Sequence, residues 1–172
     1  MAKTLTGNLN ITTSWSYQKS DDISTTKDVK QLKILEQVWS DGIGENQINF
    51  KYHARRTVTL ATTTDDIDLA GVLEDVFGDA ITFLHVKEII ILNLAAVSGE
   101  DLLIGGAAAN AWNQPFNGSA TAQDDCWAGG IWVRSAPLSG IIVTAGSSDT
   151  LRVTHNGSVD DIDYDIVIKG VG

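Results

Sequence analysis

The residues best suited to chemistry lie near the end of the chain, where His155 precedes aspartates at 160, 161, 163 and 165. A histidine beside several carboxylates could bind a divalent cation or transfer protons. A calcium loop of the EF-hand type needs glycine directly after its third acidic ligand, whereas Ile166 follows Asp165. Apolar residues at 162, 164, 166 and 168 alternate with polar residues at 161, 163, 165 and 169, as in a strand with one buried face. We therefore predict a solvent-facing row of polar side chains, with a weak adventitious cation site as the alternative.

The dipeptide Asn156–Gly157 predicts how that strand begins. Asn-Gly is the strongest short signal for a two-residue hairpin turn, because such a turn needs positive φ at both central residues. A hairpin closed at this turn places Arg152 opposite Asp161 and Leu151 opposite Ile162. We therefore predict that the last two strands form a terminal β-hairpin.

Residue spacing indicates no other catalytic or metal-binding set. Cys126 is the only cysteine, which excludes an intramolecular disulfide, and the three histidines are far apart in the sequence, at His53, His85 and His155. The pair Asp124–Asp125 could supply the two carboxylates of a hydrolase, but adjacent residues of a strand point to opposite faces. We therefore predict a protein that is not an enzyme, with no cofactor and no metal, in which Cys126 is a core thiol. A hydrolase is the third-ranked alternative.

The five tryptophans are the feature most open to a binding role, since exposed indole rings stack on sugars and anchor interfaces. Trp39 and Trp132 lie in alternating apolar runs, so we predict that both belong to the core. The candidates for contact with a partner are four aromatic residues, Trp15, Trp112, Phe116 and Trp127. Trp112 and Trp127 could alternatively form a platform for a glycan.

The elements that must position these residues are β-strands. Sixteen glycines, two prolines and apolar runs rich in Val, Ile and Thr are typical of an antiparallel all-β domain. The segment 29–39 fits the spacing of a strand or a helix, and we favour a strand. The strand-like segments are Gln47–Leu60, Ala80–Leu94, Cys126–Arg134, Gly140–Ala145, Thr150–His155 and Ile162–Lys169.

The length of 172 residues suits one domain with its own core, and no repeat or linker divides the chain. A two-sheet sandwich protects its strand edges in a chain of this size. We therefore predict a single all-β domain over residues 1–172, an antiparallel β-sandwich. Residues 1–28 are predicted to form an extended N-terminal arm.

The formal net charge of −10 bears on partners and location. A surface this acidic repels phosphate backbones, so the composition excludes nucleic acid as a partner. The N-terminus has no apolar signal region, and the longest apolar run, residues 89–97, is too short to span a membrane. The sequence therefore predicts synthesis in a cytoplasm and no membrane partner.

Three stretches together resemble the virion structural proteins of tailed bacteriophages. The first is VWSDGIGENQINFKYHARRTVTL at 38–60, with its Trp, Asp-Gly, Asn-Gln and a His before Arg-Thr. The second is DDIDLAGVLEDVFGDAITFLHVKEIIILN at 65–93, with Asp-Leu-Ala-Gly and a Phe-Gly before Thr-Phe. The third combines LLIGGAAANAW at 102–112, IIVTAGSSDTLRV at 141–153 and YDIVIKG at 164–170. Residues 113–130 depart from the pattern of this family.

The resemblance implies a small β-sandwich of the jelly-roll type that assembles into phage particles and has no known enzyme activity. We expect a capsid decoration (cement) protein, made in the host cytoplasm and located on the outer surface of the head. The expected partners are the major capsid protein and the chain itself, as a cyclic homo-oligomer, with a trimer preferred. A glycine-rich, apolar segment at 105–130 supports that expectation of an interface. The alternative is a head or tail appendage that binds host-surface glycans.

Overall fold

The computed structural model describes residues 3–20 and 25–172, without the side chains of residues 13 and 15–35. The described chain is all-β, as predicted, and includes one 3₁₀ turn at Gln114–Phe116. The strands are β1 (Gly7–Ser20), β2 (Thr25–Asp41), β3 (Gln47–Ile48), β4 (Phe50–Val58), β5 (Thr64–Asp68), β6 (Leu73–Glu74), β7 (Ala80–Ile81), β8 (His85–Asn93), β9 (Asp101–Gly105), β10 (Gln123–Cys126), β11 (Ile131–Ser135), β12 (Ile141–Ile142), β13 (Thr150–Asn156) and β14 (Ile162–Val171).

Eight of these strands build two antiparallel sheets. Sheet 1 has the order β11-β8-β14-β4, with the short β12 also paired to β8, and sheet 2 has the order β10-β9-β13-β5. Side chains from both sheets belong to one hydrophobic core, including Ile89 and Ile166 from sheet 1 and Leu102 and Val153 from sheet 2. The described fold is therefore an antiparallel two-sheet arrangement around a single core, in agreement with the predicted sandwich.

The predicted terminal hairpin is wrong, because β13 and β14 lie in different sheets. β13 pairs with β5 and β9, whereas β14 pairs with β4 and β8. Leu151 therefore lies opposite Ile67, and Arg152 lies opposite Asp66, to which its guanidinium donates two hydrogen bonds of 2.7 Å. Asn156 does not take the positive φ that the predicted turn requires.

The loop that replaces the hairpin crosses from one sheet to the other and is held by a buried carboxylate. Glu100, 2% exposed, accepts hydrogen bonds from the backbone N–H groups of Ser158 and Val159 at 3.0 and 2.8 Å. These bonds lower the pKa of Glu100, against burial, which raises it. A Cβ atom built on Gly157 would collide with the same carboxylate. Any other residue at position 157 would have to displace the carboxylate that holds the loop.

The alternation predicted for β14 is confirmed for its aspartates. Asp161 and Asp163 are exposed, and Asp165 is partly exposed in an ion pair with Arg55, at 2.8 Å. Lys169 is the exception, since it is 8% exposed and its ammonium group contacts a buried glutamate of β8. The predicted solvent-facing row therefore ends before Lys169.

A polar cluster joins the two sheets beside the core. Asp65 of sheet 2 accepts hydrogen bonds from the guanidinium of Arg56 and, at 2.6 Å, from the hydroxyl of Tyr164, both in sheet 1. Arg56 also donates to the hydroxyl of Tyr52, at 2.9 Å. Burial tends to raise the pKa of Asp65, but the hydrogen bonds from Arg56 and Tyr164 prevail and leave it below its ordinary value.

Asp65→Asn should therefore destabilise the fold at neutral pH and change its acid dependence. Hydrogen bonds to charged groups contribute about 1.5–3 kcal/mol each, and the asparagine loses the charge that Arg56 contacts. Because the folded-state pKa of Asp65 is lowered from 3.8, its contribution is complete above that pH and is lost as pH falls through the folded-state value. Urea unfolding at pH 7 and below pH 3 should show that the unmodified protein and Asp65→Asn differ less in their free energy of unfolding in acid than at pH 7. A constant difference would contradict this role for the carboxylate.

Candidate functional site

The most distinctive surface element is a long two-stranded ribbon formed by β1 and β2. The two strands pair from Gly7 opposite Trp39 to Ser20 opposite Thr25, with one irregularity between Ile11 and Thr12. At about 3.3 Å per residue, β1 extends for about 45 Å. In the part of the chain that the structure describes, β1 pairs only with β2, and β2 pairs elsewhere only through its last two residues, with β3.

The ribbon is attached to the outer side of sheet 1 through a buried polar cluster, the ribbon root. The indole N–H of Trp39 donates to Glu88 of β8 at 3.3 Å, and Trp39 is 1% exposed. The ammonium group of Lys169 on β14 contacts the same carboxylate and lies 3.5 Å from the carbonyl oxygen of Asn8. Glu88 is 0% exposed, so this is a buried ion pair that joins both ribbon strands to the sheet.

Beyond its root, the ribbon leaves the body. Leu9 and Ile11 share the face on which Trp39 lies, because alternate residues and directly opposite residues point to one side. Leu9 is still partly buried, whereas Ile11 is 37% exposed, and Asn10 and Thr12 on the other face are exposed. Both faces of the ribbon are thus open to solvent at residues 10–12. The two ribbon strands, Gly7–Ser20 and Thr25–Asp41, extend past the predicted arm of residues 1–28.

The outer face of sheet 1 carries an apolar strip next to the ribbon root. Val133 of β11, Ile90 of β8 and Val167 of β14 lie directly opposite one another, and Ile131 lies opposite Leu92 in the next row. We call these five residues the outer strip. Ile131 is 62% exposed and the others are partly exposed. An antiparallel sheet with one wet face normally places polar residues at such positions.

A crevice of about 350 Å³ connects the ribbon root to the outer strip. Leu5, Gly7 and Asn8 line its ribbon side, and Ile90 and Val167 line its sheet side. The ribbon and the outer strip therefore form one continuous, partly apolar surface, which is the candidate site for binding another protein.

Two of the predicted contact residues are instead in the core. Trp112 is 1% exposed, and its indole N–H donates to the carbonyl oxygen of Ile142 at 2.7 Å. Phe116 is 9% exposed and stacks on Trp132, with ring centroids 6.1 Å apart. Both side chains belong to the hydrophobic core, so the prediction that Trp112 and Phe116 are surface contacts is corrected. Trp132 and Trp39 are buried, as predicted.

Of the other two predicted contact residues, the structure describes the side chain of Trp127 but not that of Trp15. Trp127 is 69% exposed and lies beside an open cleft of about 440 Å³, whose walls include Ala96, Ser98 and Asp101. Trp15 pairs with Lys30 in the ribbon, and its side chain lies outside the described residues. The structure therefore keeps Trp127 as a candidate contact and separates it from Trp112, with which the sequence grouped it as a glycan platform.

The residues that could have formed a catalytic site have structural partners. Asp124 accepts a hydrogen bond from the indole N–H of Trp132 at 3.1 Å and pairs with Arg134. The imidazole of His155 accepts from Gly157 N–H at 3.0 Å through Nδ1, and its Nε2 lies 2.8 Å from the carbonyl oxygen of Asp160 and 3.6 Å from the carboxylate of Glu100. Cys126 is buried, as predicted, and burial raises the pKa of its thiol.

Two further features of the described residues concern metal binding and membranes. No group of three or more His, Cys, Asp or Glu residues there could hold a metal ion. The same residues include no helix with the length and hydrophobicity needed to cross a bilayer.

Sequence reasoning missed the ribbon root and the outer strip. The signal for the strip was present in the run of four apolar residues at 89–92, since a strand covered on both faces loses its alternation. Comparison of the chain with protein-family models, with curated proteins and with solved structures finds no match in any of the three.

Proposed function

We propose that this chain is a non-enzymatic structural subunit of a tailed-phage virion, a decoration (cement) protein that binds the major capsid protein on the outside of the head. The observation that carries the proposal is the projecting ribbon of β1 and β2. An isolated two-stranded hairpin is at best marginally stable in water, so an element of this length favours a role in contact with a partner.

The order of the strands supports the same proposal. Numbered along the chain from β4, the eight sandwich strands run 6-3-8-1 in sheet 1 and 5-4-7-2 in sheet 2. We assign this order to the jelly-roll class, which includes viral capsid domains and lectins. Fold alone does not determine function, but viral capsid domains and lectins both act through surfaces that bind other molecules.

The distribution of charge favours the outside of the particle. The 17 acidic and 7 basic residues of 42–172 account for the whole net charge of −10. Packaged DNA would repel a body of this charge, whereas the outer surface of the head imposes no such cost.

Binding to undecorated heads tests the proposal. The full chain should bind heads saturably, and Ile11→Asp on the ribbon should lower the occupancy by about tenfold or more, the effect of about 1.4 kcal/mol of lost contact. Val159→Asp is the matched control, because Val159 is 61% exposed on the loop before β14, away from the ribbon. Absence of saturable binding by the unmodified chain would contradict the proposal.

A second candidate is a head or tail appendage that binds host-surface glycans, and the exposure of Trp127 beside the cleft favours it. An indole face can stack on a sugar ring, and Ser98 and Asp101 provide polar groups nearby. Saturable binding on a glycan array that is lost in Trp127→Ala, together with no binding to heads, would favour this candidate over the first.

A further inference from the structure

We propose that the outer strip of sheet 1 receives the ribbon of a second copy of the same chain, so that neighbouring copies are joined by exchanged ribbons. This inference rests on the proposed function, because it names the self-contact through which a structural subunit of this kind would assemble. It concerns the strip Ile90, Leu92, Val133, Ile131 and Val167 and the part of the ribbon beyond residue 10.

The outer strip is continuous with a contact that already exists. Within one chain, the root of the ribbon packs on this same outer face, where Trp39 and Lys169 meet Glu88. In the register of sheet 1, Glu88 and Lys169 lie opposite each other, and Ile90 and Val167 form the next pair that points to the same face. The outer strip thus continues a surface that already accepts ribbon packing, while Ile11 in the ribbon of the same chain is exposed.

The outer strip is narrow. It consists of two rows about 7 Å apart along the strands, the first three strands wide and the second two strands wide, with strands about 4.8 Å apart. These dimensions are close to the width of a two-stranded ribbon. A flat contact with a globular partner would need about 1,000 Å² of total buried surface, which is more than the strip offers by itself. A narrow element that crosses the strip and continues past both of its ends fits the strip better than a globular partner does.

The ribbon and the rest of the chain differ in charge. Residues 1–41 contain five lysines and five acidic residues and carry no net charge, whereas residues 42–172 carry the full −10. Direct contact between two such bodies is opposed by their like charge. The ribbon can approach a neighbouring body without that opposition, and its second strand contributes three lysines and one aspartate within 25–33. The charge pattern therefore favours a ribbon-to-body contact over a body-to-body contact.

The test combines mass measurement with substitutions in the outer strip of the full chain. The unmodified protein should show a concentration-dependent mass above that of one chain in light scattering. Val167→Asp and Val133→Asp should each raise the dissociation constant by about tenfold or more, because each places a charge in an apolar contact. Val159→Asp, an exposed valine outside the strip, should leave it unchanged. A protein that is monomeric at every concentration overturns the proposal.

A cross-linking measurement on the unmodified chain removes dependence on the variants. Light and isotopically heavy chains are mixed and treated with a carbodiimide, which joins lysine to carboxylate without a spacer. Links between chains of different isotope should connect lysines of 25–33 to carboxylates near the outer strip, such as Asp163 or Asp165. Links between chains that never involve the ribbon overturn the proposal.

Head binding separates this proposal from the proposed function. A monomer that still decorates heads would contradict the proposed ribbon exchange and agree with the proposed function. An oligomer with ribbon-to-body links that never binds heads would contradict the proposed function and agree with the ribbon exchange. Outer-strip variants that keep their oligomeric mass but lose head binding assign the strip to the capsid contact and overturn the exchange.

Discussion

Trp112→Ala is expected to lower the free energy of unfolding by about 3–5 kcal/mol, as large-to-small substitutions of buried aromatic residues do. The indole is 1% exposed, and its N–H donates to the carbonyl oxygen of Ile142 at 2.7 Å. The substitution therefore leaves a cavity and also removes the hydrogen-bond partner of a backbone carbonyl. Chemical denaturation followed by circular dichroism measures the loss.

Trp127→Ala is the matched control, because it removes the same side chain from a position that is 69% exposed. Its effect should stay within about 0.5 kcal/mol, as for most surface substitutions. Equal effects of the two substitutions, or a stable Trp112→Ala protein, would contradict the placement of Trp112 in the core. A small effect of Trp112→Ala together with loss of self-association would restore it as a contact residue.

Lys169→Met should have a comparably large effect through the ribbon root. The substitution leaves the carboxylate of Glu88 buried without its cation, and breaking a buried ion pair from one side costs about 3–5 kcal/mol. Because Glu88 also accepts from Trp39, and Lys169 lies near the carbonyl of Asn8, the loss should extend to both strands of the ribbon root. Relative to the unmodified protein, Lys169→Met should increase the rate of hydrogen exchange more at ribbon amides than at sandwich amides.

The double substitution Glu88→Gln with Lys169→Met is the control for this prediction. It removes both charges and keeps a side chain that can still accept from Trp39, so most of the lost stability should return. If the double variant is as unstable as Lys169→Met alone, the loss in free energy of unfolding comes from packing and not from the broken ion pair.

The sequence predicted the strands well and their pairing poorly. Alternation along β14 follows from side-chain period, and the burial of Ile162, Tyr164, Ile166 and Ile168 agrees with it. The Asn156–Gly157 signal failed because local turn preference was outweighed by the pairing of β13 and β14 in separate sheets. The crossing is held by Glu100, about 60 residues earlier in the chain, and no local pattern could indicate that contact.

The candidate site was predicted only in part for a related reason. Polar and glycine-rich surroundings made Trp112 look like a surface residue, yet a loop that folds back over the end of a sandwich can bury an aromatic side chain there. The ribbon root depends on Trp39, Glu88 and Lys169, which are distant in sequence and have individually ordinary patterns. Their significance appears only when the sheet register brings them together.

The most direct test of the proposed function is a cryo-electron microscopy map of a native particle that contains this chain. We expect density for the sandwich on the outer surface of the head, in contact with the major capsid protein, with each ribbon lying across the outer strip of a neighbouring copy. Density confined to the tail tip, or inside the head against the DNA, would contradict it.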